Sequence, residues 1–200
     1  MRQTRILRLI AASAVSGAVV ALVPGAAAPA REAGSQSNAS AVVRDVNGAV
    51  LGTVRFDAAG GRIVVTGRLS GLTEGFHGFH VHAVGVCDPR ATDPNGVVVP
   101  FLSAGAHLNP AGTTHGHHAG DLSPMLAATD GRAVTLTQSE QLSAARLFDA
   151  DGSAVIIHAL PDNLAHIPVR YSAAGIPGPD AASLATGDAG GRTACGVVTR

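Results

Sequence analysis

Histidines are the residues of this chain best suited to chemistry, and they are not spread evenly. All nine lie between positions 77 and 166 of the 200-residue sequence. His80 and His82 flank Val81, and residues i and i+2 of a β-strand point to the same face, so both imidazoles can reach one metal ion. Imidazole nitrogen binds copper and zinc alike. Taken alone, the His80-Val81-His82 pattern indicates little, and so does a single His107 or His158.

A second group of polar residues follows His107 within fourteen positions. It comprises His115, His117, His118 and Asp121. Imidazoles and a carboxylate so close together suit zinc, which prefers nitrogen and oxygen ligands in a tetrahedral arrangement. The alternative is a solvated histidine-rich loop, which the nearby first group disfavours. The sequence therefore predicts metal binding.

The elements around these residues are predicted to be β-strands joined by turns and two long loops. Apolar and polar residues alternate with period two in residues 50–56 and 62–69, as in half-buried strands. Further strands are predicted at 132–138, 142–148, 153–159 and 192–199. Residues 84–129 and 160–191 are rich in Gly, Pro, Asp and His, and loops of this length are usually functional. The pattern predicts an all-β fold, an antiparallel sandwich or flattened barrel with two long loops.

Composition limits the classes of partner. All 14 basic residues are arginines, and three of them lie in residues 1–30, which leaves 11 arginines against 14 acidic residues in the remainder. A weakly acidic protein without a basic run lacks the electrostatic footprint of a nucleic-acid binder. We therefore expect no nucleic acid as a partner.

The N-terminus has the pattern of a secretory signal peptide. Arg2, Arg5 and Arg8 precede an apolar run at 9–23, and small residues follow at 26–30. The alternative, a membrane anchor, needs roughly 20 apolar residues. We predict a signal peptide at 1–30, a flexible tether at 31–38 and one domain at 39–200. The expected location is the periplasm, the cell envelope or the medium, with no stable membrane anchor.

Cys87 and Cys195 are the two cysteines of the chain. An even pair in an exported protein is expected to form a disulfide in an oxidising compartment. The alternative, two free buried thiols, is disfavoured by the export signal.

Four segments, in order along the chain, resemble the copper/zinc superoxide dismutase family. Residues 75–87 (GFHGFHVHAVGVC) resemble its first signature, and residues 103–110 (SAGAHLNP) are similar to the stretch with its bridging histidine. Residues 120–122 (GDL) resemble its zinc-aspartate segment, and residues 190–197 (GGRTACGV) its second signature. The likeness runs from about residue 39 to residue 199. It implies an immunoglobulin-like antiparallel Greek-key sandwich, or flattened eight-stranded barrel, with two long functional loops.

The resemblance also implies a role for each matching residue. The implied copper ligands are His80, His82, His107 and His158, and the implied zinc ligands are His107, His115, His118 and Asp121. Asp162 would connect a copper ligand to a zinc ligand. Arg192 would dock the superoxide anion, with help from Arg170 in attracting it, and His107 would bridge the metals and pass a proton. The Cys87–Cys195 disulfide would tie the first long loop to the last strand, and His77 would be structural.

The implied function is that of an exported superoxide dismutase. It would convert superoxide to dioxygen and hydrogen peroxide as copper alternates between Cu(II) and Cu(I), with zinc as a structural partner metal. One departure leaves alternatives open, because His115 and His118 are separated by two residues whereas the family places a longer spacer there. His117 could replace His118, or the enzyme could be copper-only. A non-catalytic exported copper-binding protein is a further alternative, and a homodimer is an open possibility.

Overall fold

Nine antiparallel strands form one sheet in the computed structural model, which describes residues 39–200. The order across the sheet is β4-β6-β7-β3-β2-β1-β11-β8-β5, and β9 and β10 make a separate hairpin. The strands are β1 Ala39–Asp45, β2 Val50–Ala59, β3 Arg62–Leu69, β4 Gly75–His77, β5 Phe79–His82, β6 Met125–Ala127, β7 Ala133–Ser139, β8 Ala154–His158, β9 Ser172–Ala173, β10 Ile176–Pro177 and β11 Arg192–Val197. The helical pieces are a 3-10 turn at Leu102–Ala104, α1 Ala144–Leu147 and α2 Ala181–Thr186. The predicted signal peptide and tether, at 1–30 and 31–38, lie outside the described residues.

The two edge strands of the sheet, β4 and β5, are separated in the chain by Gly78 alone. The two edges therefore lie next to each other, and the sheet is nearly closed into a barrel. Only glycine fits at this point, because a Cβ on Gly78 would lie 2.5 Å from the Cβ of Ala189. Taken as one bent strand, β4 and β5 give the eight strands that the family resemblance implies. After β3 the chain crosses past the positions of β7 and β6 to form β4, and it returns later to place β7 beside β3. This connection is a Greek key. The predicted fold class is confirmed.

The barrel core is built from small aliphatic side chains. In β3 every second residue is buried, which places Ile63, Val65 and Leu69 inside. Burying one such side chain fully stabilises the fold by about 1.5–3 kcal/mol. Strand β8 departs from this alternation, since all five of its residues are buried. Its outward residues Ala154 and Ile156 pack under the first long loop rather than facing water.

Cys87 and Cys195 form a disulfide between the first long loop and β11. The pair is separated by 108 residues in the chain. In the chain-entropy model, closing a loop of that length stabilises the fold by about 4–5 kcal/mol. The predicted disulfide is confirmed, and it anchors the loop that covers β8.

One predicted strand is wrong. Residues 142–148 contain the helical turn α1 instead, and Ser143 caps it by accepting a hydrogen bond from the backbone N–H of Arg146. A Ser N-cap stabilises a helix start, and here it prevails over the apolar pattern. In addition, the β9–β10 hairpin lies inside the second long loop, where no strand was predicted. Within residues 39–200, no helix is long and apolar enough to span a membrane.

Candidate metal centre

Strand β5 and the first long loop bring the histidines together. Val81 packs in the barrel core, so His80 and His82 project from the opposite face of β5. The loop returns alongside β5 and makes two isolated antiparallel bridges, His82 with His107 and His80 with Asp121. His158 ends the neighbouring strand β8, which pairs with β5. All four histidines are buried, with 6 % exposure or less.

The first cluster consists of four ring nitrogens, one from each of His80, His82, His107 and His158, that lie within 4.8 Å of one another. The Nε2 atoms of His82 and His158 are 3.4 Å apart. Nδ1 of His80 and Nε2 of His107 are buried and have no hydrogen-bond partner. A buried polar atom without a partner costs free energy. A metal ion at the centre of this cluster would satisfy both nitrogens, so the donor set fits copper.

The outer nitrogen of each of these rings is held by an oxygen. Nδ1 of His82 is 2.9 Å from the carbonyl oxygen of Gly105, and Nδ1 of His158 is 2.9 Å from that of Gly190. Nε2 of His80 is 2.6 Å from Asp162. Such partners fix the orientation of a metal-binding imidazole and direct its other nitrogen at the ion.

A second cluster surrounds Oδ1 of Asp121. This atom is 3.0, 3.3 and 3.2 Å from the Nδ1 atoms of His107, His115 and His118, respectively. Nδ1 of His107 is also 3.3 Å from Nδ1 of His118. Four ligands at about 2.0–2.1 Å from a tetrahedral zinc ion are separated by about 3.3–3.4 Å. The arrangement therefore has the size of a zinc site.

The short spacer between His115 and His118 makes a tight turn around Asp121. The backbone N–H groups of Gly116 and His118 donate to Oδ2 of Asp121 over 2.7 and 3.0 Å. Oδ1 is thereby left to face the imidazoles. His117 lies in the same turn and is exposed. Of the two neighbouring histidines, it is His118 that reaches Asp121.

Asp162 connects the two clusters. Its Oδ2 lies 2.6 Å from Nε2 of His80, and its Oδ1 lies 2.9 Å from Nε2 of His115. The backbone N–H of Leu164 donates to Oδ1 over 2.7 Å. Gly187 packs against this pair, and a Cβ there would fall 2.0 Å from Oδ1 of Asp162. The need for glycine at position 187 is a site feature that no motif in the sequence predicted.

Burial determines the charge of the first cluster. It lowers the pKa of His80 to about 4 and that of His158 to about 3, and it lowers the pKa of His82 as well. These rings are therefore neutral near pH 7, which is the metal-binding form. Burial also lowers the pKa of His115, but hydrogen bonds to Asp121 and Asp162 outweigh it and raise that pKa to about 9. His115 is thus suited to hold positive charge, whereas burial lowers the pKa of His118 in the same cluster.

Arg192 lies beside the first cluster, at the start of β11. Its guanidinium donates to the carbonyl oxygens of Phe101 and Gly105, the latter over 2.6 Å. Pairing with β8 shifts by one residue between Arg192 and Ala194, so Thr193 forms a β-bulge. Because of the bulge, Arg192 faces the long loops whereas Ala194 is buried in the core.

A cleft of about 450 Å³ opens over the first cluster. Its lining includes His82, His107, His158 and Arg192. A larger cavity of about 650 Å³ lies beside α1, and none of its lining residues is a histidine. Arg170 does not line the cleft; it is exposed and stacks on Tyr171, 4.9 Å from the ring centre.

Comparison with known proteins identifies the family. The family model described as copper/zinc superoxide dismutase (SODC) matches residues 50–198. The chain belongs to the copper/zinc superoxide dismutase family. Proteins named Superoxide dismutase [Cu-Zn] from Mycobacterium bovis and Mycobacterium tuberculosis are each 38 % identical over 200 residues, which covers 94 % of this chain and 83 % of theirs.

Solved copper/zinc superoxide dismutase structures support the same conclusion. The Cu/Zn superoxide dismutase from Brucella abortus matches with a TM-score of 0.59 and 29 % identity, over 79 % of this chain and 97 % of that one. A mutant of a SOD-like protein from Bacillus subtilis matches with the same TM-score and 26 % identity, over 79 % and 95 %. Family, fold and enzyme class are thus as predicted from the sequence. The family uses copper and zinc. Two groups of residues could hold a metal ion, one of His80, His82, His107 and His158 and the other of His80, His107, His115 and Asp121.

The other residues predicted for the site of this chain fall into two groups, those next to the histidine clusters and those away from them. Asp162 and Arg192 adjoin the clusters, whereas His117 and Arg170 do not. His77 contacts two backbone carbonyl oxygens, with Nδ1 2.7 Å from that of His158 and Nε2 2.8 Å from that of Thr73. It therefore joins β4 to the end of β8, as expected of a structural residue.

Proposed function

We propose that this chain is an exported superoxide dismutase, catalysing 2 O2•− + 2 H+ → O2 + H2O2. One observation carries the proposal. Two buried imidazole nitrogens, on His80 and His107, have no hydrogen-bond partner. They lie within 4.8 Å of ring nitrogens of His82 and His158, beside a cleft whose lining includes Arg192. A redox metal held by neutral imidazoles next to a docked anion suits one-electron chemistry on superoxide.

The ligand atoms follow from which nitrogens are free. Copper would be held by Nδ1 of His80 and by Nε2 of His82, His107 and His158. Zinc would be held by Nδ1 of His107, His115 and His118 and by Oδ1 of Asp121. When bound, copper supplies electron transfer by alternating between Cu(II) and Cu(I), and zinc serves as its structural partner. The distances around Asp121 favour this two-metal form over a copper-only enzyme.

Arg192 positions the substrate in this proposal. Its guanidinium is fixed by two backbone carbonyl oxygens, so it keeps one orientation at the side of the cleft. The Gly105 carbonyl oxygen that accepts from Arg192 also holds Nδ1 of His82. A copper ligand and the docking group thus share one support, which sets the anion at a constant place relative to the ligands.

His107 is the proton carrier in this proposal. Its Nδ1 is engaged, 3.0 Å from Asp121 and 3.3 Å from His118, whereas its Nε2 has no partner. Nε2 would hold either copper or a proton, and a proton delivered to the peroxide product would leave from Nε2 in the state in which this nitrogen does not hold copper. Because His107 lines the cleft, no second side chain has to relay the proton.

Export is supported by the disulfide and by the predicted signal peptide. Disulfides persist in oxidising compartments, and this chain contains one between Cys87 and Cys195. We propose cleavage of residues 1–30, a tether at 31–38 and a catalytic domain at 39–200. The mature enzyme would act in the periplasm, the cell envelope or the medium.

Metal analysis tests the proposal. Mature protein reconstituted with copper and zinc is analysed for both metals by elemental mass spectrometry and assayed for superoxide consumption. We expect one copper and one zinc per chain together with activity. Full metal content without superoxide consumption would leave a non-catalytic copper-binding protein instead.

A matched pair of variants tests the zinc ligands. His118→Ala is expected to lose zinc and keep copper, whereas His117→Ala, one residue away in the same turn, is expected to keep both. Copper without zinc in the unsubstituted protein would mean that His107 is not a bridge, and the proton step would then need another donor.

A further inference from the structure

The residues that line the cleft over the first cluster include two of opposite charge, Arg192 and Asp188. The remaining lining residues are neutral aliphatic, hydroxyl or imidazole groups. A carboxylate at this place is unexpected, because it repels the anion that the proposed function brings into the cleft. The inference below rests on that proposed function.

Two hydrogen bonds hold the Asp188 carboxylate in place. Its Oδ2 accepts from Oγ of Ser183 and from Nδ2 of Asn163, each over 2.6 Å. Ser183 belongs to α2, and Asn163 follows Asp162 directly. These two contacts hold the carboxylate in one position, although the residue is exposed.

Neither the backbone nor these hydrogen bonds require a charge at position 188. The residue has φ +54°, in the left-handed region where Asn, Asp and Gly are favoured. An asparagine would suit the same backbone, and its Oδ1 could accept from Ser183 and Asn163 as Oδ2 does. The one property that asparagine would not supply is the negative charge.

We propose that Asp188 determines which anions reach Arg192, by admitting singly charged superoxide and disfavouring divalent anions such as sulfate and phosphate. Coulomb energy is proportional to the charge of the ligand, so a carboxylate repels a dianion twice as strongly as a monoanion at the same place. Arg192 alone would do the opposite and bind the dianion more tightly. With both Arg192 and Asp188 present, superoxide is attracted less strongly than by Arg192 alone. Divalent anions are disfavoured by a larger factor, so they compete less well for the cleft.

The expected effect follows from the same relation. Where a carboxylate lowers the affinity of a monoanion by about two-fold through water, it lowers that of a dianion at the same place by about four-fold. The logarithm of the change should therefore be twice as large for the dianion. Salt screens both effects, so they are largest at low ionic strength.

Asp188→Asn in the metal-loaded mature protein tests the inference. Glu140→Gln is the matched control, because Glu140 is exposed and outside the cleft, so it removes the same formal charge elsewhere. Azide, a monoanion that binds copper, is titrated through the visible absorbance of the metal, and sulfate is measured as its competitor at constant ionic strength. Superoxide kcat/KM is measured in parallel.

In Asp188→Asn we expect azide affinity and kcat/KM to rise about two-fold and sulfate affinity to rise about four-fold. Glu140→Gln should leave the ratio of sulfate to azide affinity unchanged. Asp188→Gly, which suits φ +54° and removes the carboxylate, should repeat the Asp188→Asn result.

Equal rises for sulfate and azide, no rise in either, or the same rises in Glu140→Gln would each overturn the inference. The anion titrations need no turnover, so they separate it from the proposed function. If the protein lacked dismutase activity but Asp188→Asn still raised sulfate affinity more than azide affinity, the proposed function would be contradicted and the inference about Asp188 would stand.

Discussion

Arg192→Ala should slow catalysis strongly without releasing metal. Arg192 is the one cation that lines the cleft among residues 39–200. Its guanidinium contacts backbone carbonyl oxygens of the first long loop and no metal-binding side chain. The substitution therefore removes the docking charge and leaves the oxygens that orient His80 and His158 in place.

The size of the effect depends on how far water screens the charge. Two unit charges 4 Å apart interact by about 1 kcal/mol in bulk water and by about 4 kcal/mol at the effective dielectric constant of a protein surface. Arg192 is half-buried, so an intermediate value of about 2 kcal/mol is appropriate. That value corresponds to a loss of about 30-fold in kcat/KM.

The assay is the decay of radiolytically generated superoxide at low ionic strength, with copper and zinc measured on the same samples. Arg192→Lys keeps the charge but cannot make the fork-shaped contact with two carbonyl oxygens, so a loss of only a few-fold is expected. Arg170→Ala is the control for net charge, because Arg170 is exposed and does not line the cleft. If Arg192→Ala loses no more activity than Arg170→Ala, the docking role is refuted.

Three further predictions follow from the site and the disulfide. Asp162→Asn should weaken binding of both metals by about 10- to 100-fold, because one carboxylate orients a ring in each cluster; competition with a chelator measures this. The metal-free protein should lose stability as pH falls from about 6.5 towards 4, because the unfolded chain then binds protons that the buried His80 and His158, with pKa values lowered to about 4 and 3, do not. The loss should approach about 1.4 kcal/mol per pH unit for each of them, and a flat profile of denaturant midpoint against pH would contradict it. Cys87→Ser/Cys195→Ser should lower the free energy of unfolding by about 4–5 kcal/mol, and reductant should then have no further effect on the urea midpoint.

The copper-ligand candidates were predictable because their positions follow from local rules. Period-two geometry places His80 and His82 on one face, whatever the rest of the fold does. His107 and His158 were identified by the resemblance of their segments to the family, and the structure brings them to the same centre. The fold class followed similarly, since alternating strands separated by turn residues leave few all-β alternatives.

The remaining features depend on contacts between distant segments, which a local pattern does not contain. Residues 142–148 alternate like a strand, but Ser143 supplies a cap that makes them helical. The size of the candidate zinc site depends on how Gly116 and His118 wrap around Asp121, and the spacing alone left this open. Gly187 is needed only because Asp162 and His115 meet beside it.

The bulge at Thr193 is an extra residue between two pairs of the ladder whose partners in β8 are consecutive. Thr193 contributes one hydrogen bond, from Oγ1 to the carbonyl oxygen of Ile157. Arg192 pairs with His158, Ala194 with Ile157 and Cys195 with Ile156, so Arg192 and Cys195 face the loops and Ala194 faces the core, while Thr193 has no partner in the ladder. Substitutions at 193 should therefore be tolerated in natural or engineered variants. Deleting the residue would remove the bulge and leave Arg192 directly before Ala194. Regular alternation would then still point Arg192 and Cys195 towards the loops and Ala194 into the core, so a single-residue gap at this position is expected to be compatible with the site.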